Sequence, residues 1–335
     1  MGEAYPPMVE VDWRRHRRTA AHRIRSLEPE TFEPERTTVW SFPRRGRWAT
    51  HASGYPGNWA PEVPRNLILR YTTPEEIVLD PMVGGGTTLL ECLLNHRQGI
   101  GVDIEPNACE LAASNLSLGH WPVDWPPDWN PIRLYVGDAR RLDRIAANAI
   151  HLVALHPPYA DIIRYGGGNP SNLSCLKLDA FLAAMRDVAA EAYRVLAPNR
   201  HCAVLIGDTR RHKHYVPISV RVLEQFLDAG FVLREDIIKL QHKMKSTREK
   251  WRGSTYDFYL IAHEHLYVFR KPAEGEDLKD YRYSVKWWWE SSSASATRAC
   301  PRLISSRAAA KPTFSSIPSS SARSPTQWTP GFLRR

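Results

Sequence analysis

Cysteine is sparse and unpatterned. Cys92, Cys109, Cys175, Cys202 and Cys300 are scattered, with no C-x-x-C pair. That argues against a disulfide framework and against a zinc site. Long apolar runs are missing too, so nothing in the chain reads as a membrane span. Near the N-terminus, Arg14, Arg15, Arg17 and Arg18 have no apolar core after them, which excludes a secretory signal there. The expectation is a soluble, cytoplasmic protein with no metal and no membrane partner. Acidic residues are the minority charge: the formal net charge is +9 and the pI about 9.4. Such a balance favours a polyanionic partner. A plainer source is also present, because residues from Pro272 onward carry ten Lys/Arg against five Asp/Glu. For 335 residues, one large domain with appendages is the natural expectation.

The stretch Glu76 to Glu91, EIVLDPMVGGGTTLLE, organises the rest. Ile77-Val78-Leu79 is the short apolar run of a buried parallel strand. Asp80 and Pro81 end it. Gly84, Gly85 and Gly86 let the backbone turn tightly and approach a ligand. Thr87 and Thr88 can cap a helix running through Leu89, Leu90, Leu93 and Leu94. Strand, glycine turn and helix make a cradle of amides at a helix N-terminus, or a tight turn that binds nothing.

What this loop lacks narrows the ligand. No Lys follows its last glycine, so it is not a phosphate loop, and the third glycine of a dinucleotide fingerprint is absent. What remains is D-P-x-x-G-x-G-T-T, Asp80 to Thr88. It resembles the S-adenosyl-L-methionine loop of DNA methyltransferases that modify exocyclic amines, the N4-cytosine/N6-adenine group. Their middle residue is usually Ser or Cys, where this chain has Gly85. In that family a helix just before the cofactor strand holds the methionine end of the cofactor; His51 and the run Pro61–Leu69 stand in that place. Trp48, Tyr55 and Trp59 can equally pack an ordinary capping subdomain.

A second apolar strand, Gly99 to Val102, ends in Asp103. A carboxylate about twenty residues past a glycine loop can accept from both hydroxyls of a ribose. Ile104 can then pack on an adenine, with Glu105 as a spare carboxylate. Arg133–Val136 reads as a third strand, followed by Gly137-Asp138-Ala139. The resemblance implies an adenine contact for Asp138 and Ala139; a turn or helix cap explains Asp138 equally well.

The fourth apolar strand, His151–Leu155, ends in His156-Pro157-Pro158-Tyr159. Enzymes that methylate amines carry (Asp/Asn/Ser)-Pro-Pro-(Tyr/Phe/Trp) at this place. The residue types fit the chemistry. An exocyclic amine is a weak nucleophile, because its lone pair is delocalised into the ring. A side-chain acceptor and a backbone carbonyl can each take one N–H and free that pair. The prolines fix the carbonyl direction, and Tyr159 offers a stacking face to a base taken out of the duplex. His156 departs from the pattern. A neutral imidazole can accept one hydrogen bond, whereas an imidazolium cannot. Activity is therefore expected to fall near the ~6.5 of an ordinary histidine.

Further on, Asp161–Asn172 is a glycine-rich loop, placed to cover the site. Leu176–Leu196 has the period of an amphipathic helix, His201–Ile206 reads as a strand, and Val216–Ala229 as a helix ended by Gly230. Phe231–Leu240 and Tyr259–Phe269 read as closing strands. Between them, Lys243, Lys245, Arg248 and Arg252 surround Trp251, a composition suited to phosphate contact with base stacking and equally to a solvated loop. His263 and His265 share one strand face but have no third metal ligand nearby in sequence.

The resemblance implies an α/β, Rossmann-like class I methyltransferase fold. Its sheet would have seven strands, mostly parallel with a reversed final strand, and helices on both faces. The expected organisation is a basic polar arm over 1–40, a catalytic domain over 41–271 and a low-complexity, disordered tail over 272–335. Trp13–Arg25 reads as a short surface helix or arm. The implied activity is methyl transfer from S-adenosyl-L-methionine to N4 of cytosine or N6 of adenine in DNA. A tRNA guanine-N2 methyltransferase, a protein-glutamine methyltransferase and a binding module with a decayed site are the other readings. Oligomeric state is not legible.

Overall fold

The computed structural model describes residues 5–15, 24–51, 55, 57–118, 130–158, 169–242 and 257–286. The chain separates into compact units Met1–Ser292 and Ser293–Arg335, and every described residue belongs to the first.

In chain order the strands are β1 (Val9–Val11), β2 (Val39–Ser41), β3 (Ile77–Asp80), β4 (Gln98–Asp103), β5 (Ile132–Val136), β6 (Ile150–Leu155), β7 (Leu196–Gly207), β8 (Thr209–Arg211), β9 (His214–Val216), β10 (Val232–Leu240) and β11 (His263–Arg270). The helices are α1 (Glu62–Tyr71), α2 (Thr87–Leu94), α3 (Pro106–Leu116), α4 (Leu178–Val195) and α5 (Ile218–Asp228). The main sheet has the order β1-β5-β4-β3-β6-β7-β11-β10-β2. β5, β4, β3, β6 and β7 pair in parallel. β11 runs antiparallel to both β7 and β10. Its seven inner strands are thus the mostly parallel sheet with a reversed last strand that the resemblance implied.

Period-two alternation sorts the core. In β6, Val153 and Leu155 face one side while Leu152 and Ala154 face the other; in β7, Cys202, Val204 and Ile206 oppose Ala203 and Leu205. The first set packs with Phe181, Met185 and Val188 of α4 and Val222 and Phe226 of α5. The second packs with Leu67 and Ile68 of α1, Leu89 and Leu93 of α2 and Ala112 of α3. All of these apolar side chains are buried, and each contributes roughly 1.5–3 kcal/mol when it is of Leu or Phe size. Both sheet faces are covered, which is why the central strands read as continuous apolar runs.

The edges differ from the sequence-based expectation. The stretch read as an arm supplies β1, antiparallel on β5, and β2, parallel on β10. Of the stretch Trp13–Arg25, residues 16–23 lie outside the described residues; Trp13–Arg15 forms a 3-10 turn in which Trp13 is buried and its indole donates to the Ile132 carbonyl at 2.9 Å. At the other end, residues 272–286 are not loose. Leu233 N–H donates to the Ser284 carbonyl at 2.8 Å, and Val285 is buried. Backbone pairing and one buried side chain hold this stretch, signals too sparse to show as periodicity. Residues 287–335 lie outside the described residues. The β8–β9 hairpin was not anticipated. Among the described residues, no helix is long and apolar enough to cross a membrane.

Candidate active site

β3 and β4 lie side by side and deliver Asp80 and Asp103 to the same sheet edge, Asp80 pairing with Gly101, two residues before Asp103 in β4. Between them runs the glycine loop. Gly84 and Gly86 have φ of +49° and +81°, the left-handed region that favours glycine. A Cβ on Gly86 would stand 3.1 Å from the Ala112 backbone, and one on Gly84 would stand 2.8 Å from the Tyr55 ring. Gly86 itself occupies the N-cap of α2, which has no side-chain cap. The threonines expected to cap the helix therefore sit inside its first turn. Thr88 Oγ1 donates to Asp80, and Thr87 Oγ1 donates to Asn58 Oδ1 at 2.5 Å. The first amides of α2 are left facing outward from the strand end.

Asp103 accepts from Gly84 N–H and Glu105 N–H, both at 2.9 Å. The Ile104 backbone adds a further bond, and a carboxylate can accept about four. Burial pushes its carboxyl up to about 6. Burial also pushes Asp80 up to about 7, against its bonds from Thr88 and Met82 and with the Asp103 charge adding. Ile104 and Glu105 are half-buried beside them, and Pro81 is buried in the turn. Glu105 is engaged by Asn172 Nδ2 at 2.7 Å. Two carboxylates beside a glycine turn too closely packed by Tyr55 and Ala112 for any side chain fit a cationic, diol-bearing ligand.

β6 is the other parallel neighbour of β3, with Leu79 opposite Val153. Its end carries His156, Pro157 and Pro158. The His156 ring stacks on Trp59 with centroids 5.7 Å apart and planes 20° apart. Burial lowers its pKa to about 4; Glu264 opposes the shift, Lys239 adds to it, and a bond to the Gly57 backbone opposes it. The ring is neutral at pH 7. Glu264 and Lys239 form their own ion pair at 2.7 Å on β11 and β10. A family model described as DNA methylase matches residues 8–114 and 150–306, more than half of the chain.

The chain belongs to this N6/N4 DNA methylase family.

Two relatives show how local the individual likenesses are. Type II methyltransferase M.XycI of Xanthomonas campestris pv. cyanopsidis is 35% identical over 81 residues, which is 24% of this chain and 26% of that protein. Type II methyltransferase M.Cfr9I of Citrobacter freundii is 32% identical over 81 residues, again 24% and 26%. The chain thus spans about a quarter of the length of these two relatives. Among solved structures, a methyltransferase from Pyrococcus furiosus aligns with a TM-score of 0.42 at 13% identity, covering 67% of this chain and 88% of that one.

The remaining residues divide into those the fold brings together and those it does not. Gly137 N–H donates to the Asp103 carbonyl at 2.9 Å, so Asp138 and Ala139 turn beside the cradle. Both Asp138 oxygens, however, are held by Arg140, at 2.9 and 2.6 Å. Arg140 also donates to the Ser171 carbonyl and lies over the Tyr5 ring. Ala139 is buried in the core. His51 does not face the cradle; it pairs with Glu91 at 2.6 Å. Glu91, fully buried in α2, also accepts from Trp48 Nε1 at 2.8 Å, Arg65 Nη1 at 3.0 Å and Asn95 Nδ2 at 3.0 Å. This cluster fastens the stretch that carries Tyr55, Asn58 and Trp59 onto the glycine loop. Sequence reasoning missed Glu91, Glu264 and Lys239, because each takes its place only through strands and helices remote in sequence. Among the described residues, no group of three or more His, Cys, Asp or Glu could hold a metal; His265 pairs with Asp236 at 3.0 Å. Tyr159, Lys243, Lys245, Arg248, Trp251 and Arg252 lie outside the described residues.

Proposed function

We propose that this chain transfers the methyl group of S-adenosyl-L-methionine to an exocyclic amine of a DNA base, N4 of cytosine or N6 of adenine. One observation carries the reading. β3 and β6 are adjacent parallel strands, so the glycine cradle and the His156-Pro157 pair emerge side by side at one sheet edge. A ligand held at the first and an amine held at the second meet without any rearrangement of the sheet. Family membership points to DNA as the substrate.

When bound, the cofactor supplies an electrophilic methyl group on a sulfonium. Asp103 would hold its ribose diol with the lone pairs that its backbone donors leave open. The Gly84–Gly86 backbone and the first turn of α2 receive the methionine part, and the Asp80–Asp103 charge favours its cationic groups. His156 accepts one N–H of the target amine at its unprotonated nitrogen, and the Pro157 carbonyl accepts the other. That draws the nitrogen lone pair out of the ring and directs it toward the cradle. The amine sheds one proton as its bond to carbon forms, and the His156 nitrogen holding that N–H is placed to receive it and pass it to water. Trp59 stacks beside the imidazole, with ring centroids 5.7 Å apart.

The test is transfer of labelled methyl from S-adenosyl-L-methionine to duplex DNA, tRNA and protein in parallel, with nucleoside analysis. Label in N4-methylcytosine or N6-methyladenine is the expected result and names the base. Label confined to tRNA guanine or to protein glutamine would replace the substrate and sink the DNA reading.

A further inference from the structure

The β8–β9 hairpin takes no part in the site described above. Its strands Thr209–Arg211 and His214–Val216 are joined through His212 and Lys213, both at positive φ. In sequence it reads Arg210-Arg211-His212-Lys213-His214-Tyr215, and residues 211–215 are exposed. The carboxylate at its root is occupied from within. Asp208 accepts from Ser219 N–H at 2.7 Å, from Ser219 Oγ at 2.8 Å and from the Tyr215 hydroxyl. Arg210 is structural as well. It donates to the Tyr259 carbonyl at 2.7 and 3.2 Å and lies 4.8 Å over the Phe258 ring and 5.7 Å over Tyr215. It thereby draws Tyr259, 91% exposed, alongside the hairpin. The nearest acid to Lys213 is Asp257 at 3.9 Å, an exposed pair of the kind that contributes little.

The register fixes where this surface stands. β7 is the parallel neighbour of β6, with Leu155 opposite Val204. β6 stops there and gives His156, whereas β7 runs on through Gly207 into the hairpin. The hairpin root is therefore about 5 Å sideways from the His156 strand and on the order of 10 Å beyond its end, by strand spacing and rise. Both project from the same edge.

We propose that the β8–β9 hairpin, with Tyr259, is a contact surface for the phosphate backbone of duplex DNA, Arg211 and Lys213 each meeting a phosphate beside the base presented to His156. The inference rests on the methyl-transfer reading for where the substrate lies. Guanidinium and ammonium groups only donate, so this tip matches a row of acceptor oxygens of opposite charge. Phosphate contacts of this kind position the duplex without reading its sequence. Tyr215 and Tyr259 add flat faces for sugars or bases.

The experiment measures duplex DNA binding by the full chain against salt, for wild type and Arg211→Ala/Lys213→Ala, with tRNA alongside. Each lost phosphate contact lowers the slope of log K against log salt by about 0.9. The double variant should therefore be shallower by ~1.8, so that across 50 to 200 mM salt its affinity falls about tenfold less than that of wild type. S-adenosyl-L-methionine binding reports folding, and Lys213→Gln alone, predicted to change the slope by half as much, serves if the double variant does not fold. An unchanged slope overturns the inference, as does a change seen with tRNA and not with duplex DNA, or a wild type that does not bind duplex DNA. Methyl transfer measured on the same samples separates the two ideas. Transfer with an unchanged slope sinks the hairpin alone; a changed slope without transfer sinks the reaction alone and leaves the duplex contact standing.

Discussion

At the β3–β4 end of the site the groups that would meet a ligand are two buried carboxylates, Asp80 and Asp103. At the adjacent β6 end the group is a half-buried imidazole, His156. The same desolvation acts on both and moves them in opposite directions, the carboxyls up to about 7 and 6 and the imidazole down to about 4. Burial disfavours charge whatever its sign. The consequence is a division of labour. Near pH 7 Asp103 is mostly anionic and Asp80 about half so, which would suit a cation, while a neutral imidazole would suit an amine N–H. On the proposed reading the histidine would offer at neutral pH the acceptor that an Asp, Asn or Ser offers in the family pattern.

That contrast can be broken or sharpened by four experiments. The largest effect belongs to Glu91→Ala. It leaves Arg65, itself buried, without its partner inside α2, and should cost about 3–5 kcal/mol of stability in denaturant unfolding. A much smaller loss would mean that packing alone fastens the 48–59 stretch to the cradle. Next comes His156→Ala. Methyl transfer should drop on the order of a hundredfold, with cofactor affinity unchanged in titration calorimetry; loss of both would show that the two ends are not independent. The mirror experiment sits at the loop. Gly86→Ala forces an L-residue into the left-handed region, at about 1–2 kcal/mol, and against the Ala112 backbone, so cofactor affinity should fall. Gly85→Ala has no such φ and meets Tyr55 Cβ at 3.3 Å, so its effect should be smaller. Equal losses would place the cofactor elsewhere. The smallest effect is the pH response. Asp103 is charged above its pKa, so lowering pH through about 6 protonates it, and cofactor affinity should be about tenfold weaker one unit below that point. At saturating cofactor the transfer rate should not dip near 6.5, because His156 stays neutral down to about 4. A rate loss centred at 6.5 would restore the ordinary histidine that its sequence position suggests.

Much of the site was legible because its signals are local. A strand, a glycine turn and a helix occupy one short stretch, and an acid or a Pro-Pro pair closes each apolar run. The helices α4 and α5 declared themselves by period. The rest was hidden for identifiable reasons. Glu91 sits amid leucines with no local signal of its role, which appears only when Arg65, His51 and Trp48 arrive from another segment. Asp138 matched an adenine contact equally well before Arg140 was seen on both its oxygens. The β8–β9 hairpin has His212 and Lys213 where Asn-Gly would have announced a turn.

The sequence by itself determined the order of the candidate site: glycine loop, Asp103, then His156-Pro157, each written as a short apolar run ending in a candidate residue. Only the tertiary structure decided that β3 and β6 are neighbours, that Trp59 covers His156, and which groups burial would discharge. Periodicity and turn residues are properties of adjacent positions. Desolvation, ion pairing and strand adjacency belong to pairs of residues far apart in the chain, and they exist only once the sheet has formed.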